Sequence, residues 1–491
     1  IQEKMVEPAK GRTKWIPFLR QMFVVTGVAF YMTGTGANIA FPGVLLQQLR
    51  EPDSAIKLTI EHESWIASVL GLALMTGIAV SPIFLERLGR KMTNQLSTLP
   101  SLSGWALLMI AKTPEMLLIS RFLQGLGMGL QASGAPVSIG EYSSPAHRGA
   151  FLATIALSFS TGMLIAHLFG TLLYWRTASL ACGCCYAFSL IIISLSPETP
   201  SWLAAHGYYE KCRKSFLWLR GDDKNSKEEL DRLIASQKEQ HKLSIIREKQ
   251  SKFKFILTVI RKKEFYKPTF IMVFMFTMFQ VSGMTVIPSY TVPIMKVVTG
   301  DKIDGYSAML AVDSVRFITA IMSCVIVNKF RRRSVLFFGS ILTVISLLLT
   351  ALLIYLRDLG YFSDNLSWIP VIPMLVYMFG KTIGILAIPW AVAGEIFPLA
   401  YRSIGSGISG MVLSLLLFVV VKTAPKLFVI IGVNGVFCCY ATAVAICSGF
   451  LYFLLPETKG KTLQEIEKFF KGEELVLDKI ENGKMLVEDE S

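Results

Sequence analysis

The sequence is dominated by apolar stretches long enough to cross a lipid bilayer. A membrane-spanning helix needs about 20 consecutive apolar residues, and such stretches recur along the whole 491-residue chain. We identify twelve, at residues 18–46, 65–84, 95–111, 116–139, 150–173, 177–196, 266–296, 306–327, 334–356, 368–396, 403–430 and 434–455. Because lipid offers the backbone no hydrogen-bond partners, each stretch is expected to be a helix, and the chain an all-α membrane protein.

Charge excludes an ordinary soluble domain and predicts the orientation. Only 17% of the residues are charged and 53% are hydrophobic, whereas soluble domains carry about 25% charged residues. Lys and Arg concentrate in alternate connecting segments, which the positive-inside rule places in the cytoplasm together with both termini. The net charge of +14 therefore indicates membrane topology rather than nucleic-acid binding. We expect a multi-pass protein of the plasma membrane.

A polar segment, residues 197–265, separates the sixth span from the seventh. From Glu210 to Glu264 it holds 16 Lys and Arg against 9 Asp and Glu. Two of its stretches, 227–240 and 253–265, have the pattern of short amphipathic helices at the inner membrane surface. The predicted organisation is a six-helix bundle over residues 1–196, a cytoplasmic linker over 197–265, a second six-helix bundle over 266–455 and a cytoplasmic tail over 456–491.

Three charged phrases occur twice in the same order. The matched pairs are "ERLGRK" from Glu86 with "NKFRRR" from Asn328, "GEYSSPAHRG" from Gly140 with "GEIFPLAYRS" from Gly394, and "PETPSWL" from Pro197 with "PETKGKTL" from Pro456. Generic basic loops would explain the Arg and Lys residues, but not the repeated Glu or the repeated Pro-Glu-Thr. An internal repeat of this kind predicts two pseudo-symmetric six-helix bundles, which is a transporter architecture.

These phrases, together with "RFLQGLGMG", "QVSG" and "IPW", resemble the signature motifs of the sugar-porter branch of the major facilitator superfamily. Within that branch the chain is most similar to the insect facilitated trehalose transporter-like group. The resemblance implies a facilitative uniporter that moves a sugar, such as trehalose or a hexose, by alternating access. It implies no enzymatic activity and no cofactor.

The resemblance also implies ion pairs that hold the cytoplasmic helix ends in the outward-facing state. The residues it assigns to this gating network are Glu86, Arg90, Glu141, Arg148, Arg332, Arg333, Glu395 and Arg402. The second copy departs from the pattern, because Asn328 replaces an acid and Arg331 replaces a glycine. We therefore expect Glu141→Ala to impair transport more than Glu395→Ala. The alternative is a solvated rim of charges that contributes little.

The family's sugar-contacting positions are only partly kept. The residues carried over as substrate-binding are Gln280, Trp390, His167, Thr285, Arg316 and Ser282. Gln280 and Trp390 match the family pattern, whereas His167, Thr285 and Arg316 stand where the family has amides. Three of these four amide positions are thus replaced.

Arg316 carries the most information among these replacements. A charge inside a span is costly and usually has a partner, and Asp313 lies one turn earlier on the same helix face. Either Arg316 contacts the solute, as a donor to several hydroxyls or to an anion, or the Asp313–Arg316 pair closes on itself. His167 is similarly either a partner of sugar hydroxyls or a packed core histidine.

Energy coupling and function class leave further alternatives. Proton-coupled relatives place a carboxylate in the first span, but residues 18–46 contain no Asp or Glu, so a uniporter is preferred. His167 or Asp313 could still carry a proton. The solute could also be another polyol, a sugar acid or a different organic solute. A weakly transporting nutrient sensor is the third reading, although the short acidic tail favours a carrier.

Other motifs carry little chemistry. "GLGMG" sits inside an apolar run, so Gly125 and Gly129 are expected to be a helix-packing surface rather than a nucleotide loop. Neighbouring cysteines in "CGCC" point about 100° apart on a helix, and neither a metal site nor a disulfide framework is predicted. Asn365 begins a glycosylation sequon on the predicted outer side. The expected partners are a small sugar or polyol and the lipid bilayer, with no nucleic acid and no obligate protein partner.

Overall fold

The computed structural model describes residues 12–54, 56–247, 259, 261–300, 303–361, 366, 368–398, 402–461 and 463–471. The chain separates into two compact units, Ile1–Gln250 and Ser251–Ser491. Their boundary falls inside the polar segment 197–265 that the sequence singles out as a linker. The finer division into bundles, linker and tail stays a prediction.

The first unit is helical throughout its described residues. Its helices are α1 (Arg12–Ala40), α2 (Pro42–Leu49), α3 (Ile60–Arg87), α4 (Gly89–Ile110), α5 (Pro114–Ala132), α6 (Gly134–Tyr142), α7 (Arg148–Leu172), α8 (Trp175–Leu195), α9 (Pro200–Ala205), α10 (Tyr209–Arg220) and α11 (Lys224–Arg247). The first predicted span corresponds to α1 with α2, and the fourth to α5 with α6. Helix α11 includes the predicted amphipathic helix 227–240, whereas most of 253–265 lies outside the described residues.

The second unit repeats this arrangement with more interruptions. Its helices are α12 (Lys263–Val281), α13 (Val286–Ser289), α14 (Thr291–Thr299), α15 (Gly305–Lys329), α16 (Arg332–Asp358), α17 (Val371–Gly380), a π-helix (Lys381–Leu386), α18 (Ala387–Glu395), α19 (Arg402–Leu454) and α20 (Leu463–Lys471). The predicted span 266–296 becomes three short helices, α12 to α14. Span 368–396 contains the π-helix at its centre.

The helices reproduce the twelve predicted spans once two features are recognised. Within the described residues, nine helical stretches are long and apolar enough to cross a bilayer. The last of these holds two predicted spans, because Gly432 adopts φ 72° and ψ 171° and interrupts α19. Helices α4 and α5 correspond to the third and fourth predicted spans and are not among these nine stretches. The all-α architecture with two six-helix bundles is confirmed.

Close helix packing explains the glycines of "GLGMG". A Cβ on Gly125 would lie 2.5 Å from the Leu70 carbonyl oxygen, and one on Gly129 would lie 2.3 Å from that of Leu74. Helix α5 therefore packs backbone to backbone against α3, which only glycine permits at these two positions. The helix-packing interpretation of this motif is confirmed. All eight cysteines are free thiols.

Candidate functional site

Three predicted substrate-binding residues lie where α12 ends. Ser282 caps α12, and Gly283 follows with φ +77°, so the chain unwinds before α13. The Gln280 side chain bridges this break: its Oε1 accepts a hydrogen bond from Thr285 Oγ1 at 2.9 Å, and its Nε2 donates to the Leu413 carbonyl at 3.3 Å. All of these side chains are buried. The break thus gathers amide and hydroxyl groups among transmembrane helices, the groups that sugar hydroxyls pair with.

Trp390 provides an aromatic surface in the same unit. Its ring packs edge-on against Phe279, with centroids 6.4 Å apart, and at a tilt against Phe276, with centroids 5.4 Å apart. Nearly half of Trp390 (46%) remains exposed. An indole held by neighbouring rings, with an open face, is suited to stacking on the apolar face of a sugar ring.

Arg316 and Asp313 form the predicted ion pair inside α15. Arg316 Nη1 lies 2.6 Å from Asp313 Oδ1, and both side chains are 1% exposed. The two residues are one turn apart, so the pair forms within the helix, as their spacing predicts.

A buried lysine, which the sequence reading did not identify, belongs to the same region. Lys381 opens the π-helix and is fully buried. Its Nζ donates to the Tyr377 hydroxyl at 2.9 Å, and that hydroxyl donates to the Ser282 carbonyl at 2.5 Å. This chain of hydrogen bonds joins Lys381 to the broken end of α12. Lys381 is the first charged residue in the apolar run 368–396, and a charge at this position in the sequence would have predicted a functional residue.

The first unit has its own buried polar groups. His167 is fully buried and its Nε2 lies 3.0 Å from the Ala40 carbonyl oxygen. Arg121, which the sequence did not mark as a functional residue, is 1% exposed. Its guanidinium donates to three neutral oxygens, namely Gln124 Oε1 at 2.6 Å, the Asn38 carbonyl at 2.7 Å and the Ile66 carbonyl at 3.3 Å.

The repeated phrases "ERLGRK" and "GEYSSPAHRG" meet in what we call the first ion-pair cluster, comprising Arg90, Glu141 and Glu198. Glu141 Oε1 accepts from Arg90 Nη2 at 2.6 Å and from Nε at 3.1 Å. Glu198 accepts from the backbone N–H groups of Arg90 and Lys91 at the start of α4. A carboxylate at this position satisfies donors that a helix leaves free and complements its dipole.

Glu198 comes from the first "PET" phrase and was not assigned a role from the sequence. Burial raises the pKa of its carboxyl, while the backbone N–H groups of Thr199, Lys91 and Arg90 oppose that rise. The approach is close: a Cβ on Gly89, which has φ +86°, would lie 2.4 Å from Glu198 Oε2. Glycine is therefore required where α3 turns into α4.

The second ion-pair cluster comprises Arg332, Glu395, Glu457 and Thr458. Arg332 Nη2 donates to Glu395 Oε1 at 3.1 Å, and Thr458 Oγ1 donates to Glu395 Oε2 at 2.6 Å. Glu457 accepts from the backbone N–H groups of Arg332 at 2.9 Å and Arg333 at 3.1 Å. The second "PET" glutamate thus caps α16 as the first one caps α4.

Other members of the predicted gating network lie outside these clusters. Glu86 is exposed, and only its carbonyl is engaged, by Trp202 Nε1. The Arg333 side chain donates to the Tyr452 carbonyl, and that of Arg402 to the Gly394 carbonyl. Arg148 is exposed, and neither it nor the Glu86 carboxylate forms an ion pair within the described ranges. Asn365 lies outside the described residues.

Comparison with known proteins identifies the family. The family model described as "Sugar (and other) transporter" matches residues 21–470. The chain belongs to this sugar transporter family. A solved structure of the proton:xylose symporter XylE, of the major facilitator superfamily, superimposes with a TM-score of 0.72 at 17% identity, covering 93% of this chain and 100% of that one. An inward-open structure of XylE from E. coli gives 0.71. At such identity these two likenesses show the fold.

Curated members of the sugar transporter family are more similar in sequence. The facilitated trehalose transporter Tret1 of Apis mellifera ligustica is 29% identical over 456 residues, which is 93% of this chain and 89% of that protein. Tret1 of Drosophila mojavensis is 29% identical over 431 residues, 87% of this chain. The chain spans about half (49%) of the Drosophila protein.

Proposed function

We propose that this sugar transporter family member is a facilitative uniporter, which carries a sugar such as trehalose or a hexose by alternating access. Family membership supports a sugar-type solute, and the trehalose transporters among its relatives support the facilitated mode. We further propose that it resides in the plasma membrane with both termini in the cytoplasm. We propose that it needs the solute and the bilayer as partners, but no obligate protein partner.

The environment of Arg121 carries the uniport proposal. Its guanidinium is buried among transmembrane helices, and its three acceptors are neutral oxygens from Gln124, Asn38 and Ile66. Helices α1 and α2 contain no Asp or Glu. A proton-driven cycle needs a group whose protonation changes the energy of a conformation. The neighbours of Arg121 stay neutral over the physiological pH range, so they supply no such group.

Uptake into proteoliposomes tests this proposal. Purified protein should equilibrate radiolabelled trehalose, glucose or a polyol across the membrane, and an acidic outside should not drive accumulation above equilibrium. Accumulation against the gradient would contradict uniport. Binding without uptake would instead indicate a sensor. The variant Gln124→Glu places a carboxylate against Arg121, because Gln124 Oε1 accepts from Arg121 Nη1 at 2.6 Å, and it should make the uptake rate pH-dependent. Gln131→Glu, at another buried glutamine of α5, is the matched control.

A further inference from the structure

The second unit buries more positive than negative charge. Within its described part, three charged side chains are less than a tenth exposed: Asp313, Arg316 and Lys381. Arg316 and Asp313 are in contact at 2.6 Å, and the helix that carries them, α15, packs against the π-helix that begins at Lys381. Two cations thus face one carboxylate. An unbalanced charge inside a transmembrane bundle is costly, so it usually marks a ligand or ion pathway.

Hydroxyl groups around Lys381 extend this cluster and leave a donor available. Tyr377 accepts from Lys381 Nζ and donates to the Ser282 carbonyl. Tyr440, which interacts electrostatically with Tyr377, is 6% exposed, and its hydroxyl has no hydrogen-bond partner in the part of the chain that the structure describes. A buried hydroxyl without a partner destabilises the fold, because it has lost its hydrogen bonds with water and gained none in return. The site is therefore rich in donors and short of acceptors.

The hydrogen-bond chain connects this cluster to the residues expected to bind sugar. Ser282 lies at the break where Gln280 and Thr285 pair. Because Lys381 is joined to Ser282 through the Tyr377 hydroxyl, a solute held by these neutral groups would have a substituent within reach of Lys381. A carboxylate offers two acceptor oxygens and one negative charge, which is what the cluster lacks.

We propose that Lys381, Arg316 and Tyr440 bind the carboxylate of an acidic sugar, such as a uronate or an aldonate. This inference rests on the proposed function and narrows its solute class: the neutral groups at Gln280 and Thr285 bind the hydroxyls, and the cationic cluster binds the acid. Lys381 is the specificity-determining residue, because it supplies the cation that Asp313 leaves unbalanced. Loss of a charge-assisted hydrogen bond typically costs about 1.5–3 kcal/mol, which is about a tenfold to hundredfold change in affinity.

The test compares acidic and neutral solutes of the same size in proteoliposomes. Radiolabelled glucuronate and glucose are offered separately to the wild type, Lys381→Met, Lys381→Arg and Tyr440→Phe. Lys426→Met is the matched control, because Lys426 is an exposed lysine of the same unit. The wild type should carry glucuronate with at least tenfold higher affinity than glucose. Lys381→Met should lose that preference, Lys381→Arg should keep most of it, and Lys426→Met should behave as wild type.

Thermal unfolding in detergent, with and without glucuronate, separates a folding defect from a binding defect. A folded Lys381→Met protein that glucuronate no longer stabilises, but that still carries glucose, would support the inference. Glucose uptake without any glucuronate uptake or competition would overturn it and leave the proposed function intact. Equal glucuronate affinity in wild type and Lys381→Met would also overturn it. No uptake of either solute by folded wild-type protein would contradict the proposed function itself.

Discussion

The two ion-pair clusters have the same framework but satisfy their central carboxylates differently. In each, an arginine at the start of a helix donates from Nη1 to the carbonyl five residues earlier, Leu85 for Arg90 and Val327 for Arg332. In each, a "PET" glutamate caps the helix that begins there. The repeated phrases of the sequence therefore encode a repeated local structure.

The difference lies in the second carboxylate oxygen. Glu141 receives both of its hydrogen bonds on Oε1, and neither its Oε2 nor Thr199 Oγ1 has a hydrogen-bond partner among the described residues. In the second cluster the equivalent groups meet, because Thr458 donates to Glu395 Oε2. The Glu141 side chain in the first cluster is thus held by hydrogen bonds from an arginine, whereas the Glu395 side chain in the second is held by an arginine and a threonine.

The entry to the capped helix differs as well and gives the largest predicted effect. Gly89→Ala should abolish most transport and lower thermal stability, because a Cβ would collide with Glu198 and positive φ costs about 1–3 kcal/mol for a non-glycine residue. At the equivalent position Arg331 is exposed with φ −67°, so Arg331→Ala should change uptake less than about twofold. Uptake and melting temperature are measured together. Equal damage from both variants would contradict the comparison.

Removing the central carboxylate should affect the first cluster more than the second. Glu141→Ala takes away both side-chain contacts of Arg90 with an acid, so we expect transport to fall about tenfold, corresponding to roughly 1.4 kcal/mol. Glu395→Ala should cost less, about fivefold, because it removes one arginine contact, at 3.1 Å, together with the Thr458 hydrogen bond. The comparison is made by measuring the initial uptake rates of both variants. A double-mutant cycle with Arg90→Ala shows whether the Glu141 effect passes through the ion pair.

The acid at Glu86 does not account for the difference expected between Glu141→Ala and Glu395→Ala. From the sequence, the second copy looks weaker because Asn328 replaces the acid at Glu86. The Glu86 carboxylate, however, lies outside the first cluster, since the end of α3 turns it towards solvent. The second cluster has one arginine contact fewer than the first, but it has an additional hydrogen bond from Thr458.

The two threonines offer the sharpest matched pair. Thr458→Val removes the 2.6 Å hydrogen bond to Glu395 and should weaken the second cluster by about 0.7 kcal/mol, which lowers transport about threefold, less than Glu395→Ala does. Thr199→Val should be neutral or slightly stabilising, because the hydroxyl that it removes has no partner. Uptake and thermal stability of both variants are compared with wild type. A Thr199→Val defect as large as that of Thr458→Val would contradict the assignment.

The sequence predicts the helices well because apolar length is a local property. It predicts twelve spans and the two repeats, and it assigns Arg90, Glu141, Arg332, Arg333 and Glu395 to the gating network. Glu198 and Glu457 belong to the repeated phrases, but their capping role depends on contacts with residues more than 100 positions away along the chain. Lys381 was missed because one lysine hardly alters the hydropathy of its run. Arg121 was missed for the same reason.

Glu198 gives the smallest predicted effect, a response to pH that belongs to the first cluster. Because burial raises the pKa of its carboxyl, the folded chain binds this proton more tightly than the unfolded chain does. The contribution of Glu198 to stability is therefore greatest at low pH and is lost as the pH rises through the folded pKa. The cost of burying the charged carboxylate exceeds the stabilisation that it gains from the N–H groups of Arg90 and Lys91, so mild acidification should stabilise the cap of α4. We expect the uptake rate to change by about twofold when the solution that faces the polar segment 197–265 is acidified.

The variant Glu198→Gln should remove this pH response. The response should survive in Glu457→Gln, because that variant leaves Glu198 in place. An unchanged pH profile in Glu198→Gln would place the titrating group elsewhere.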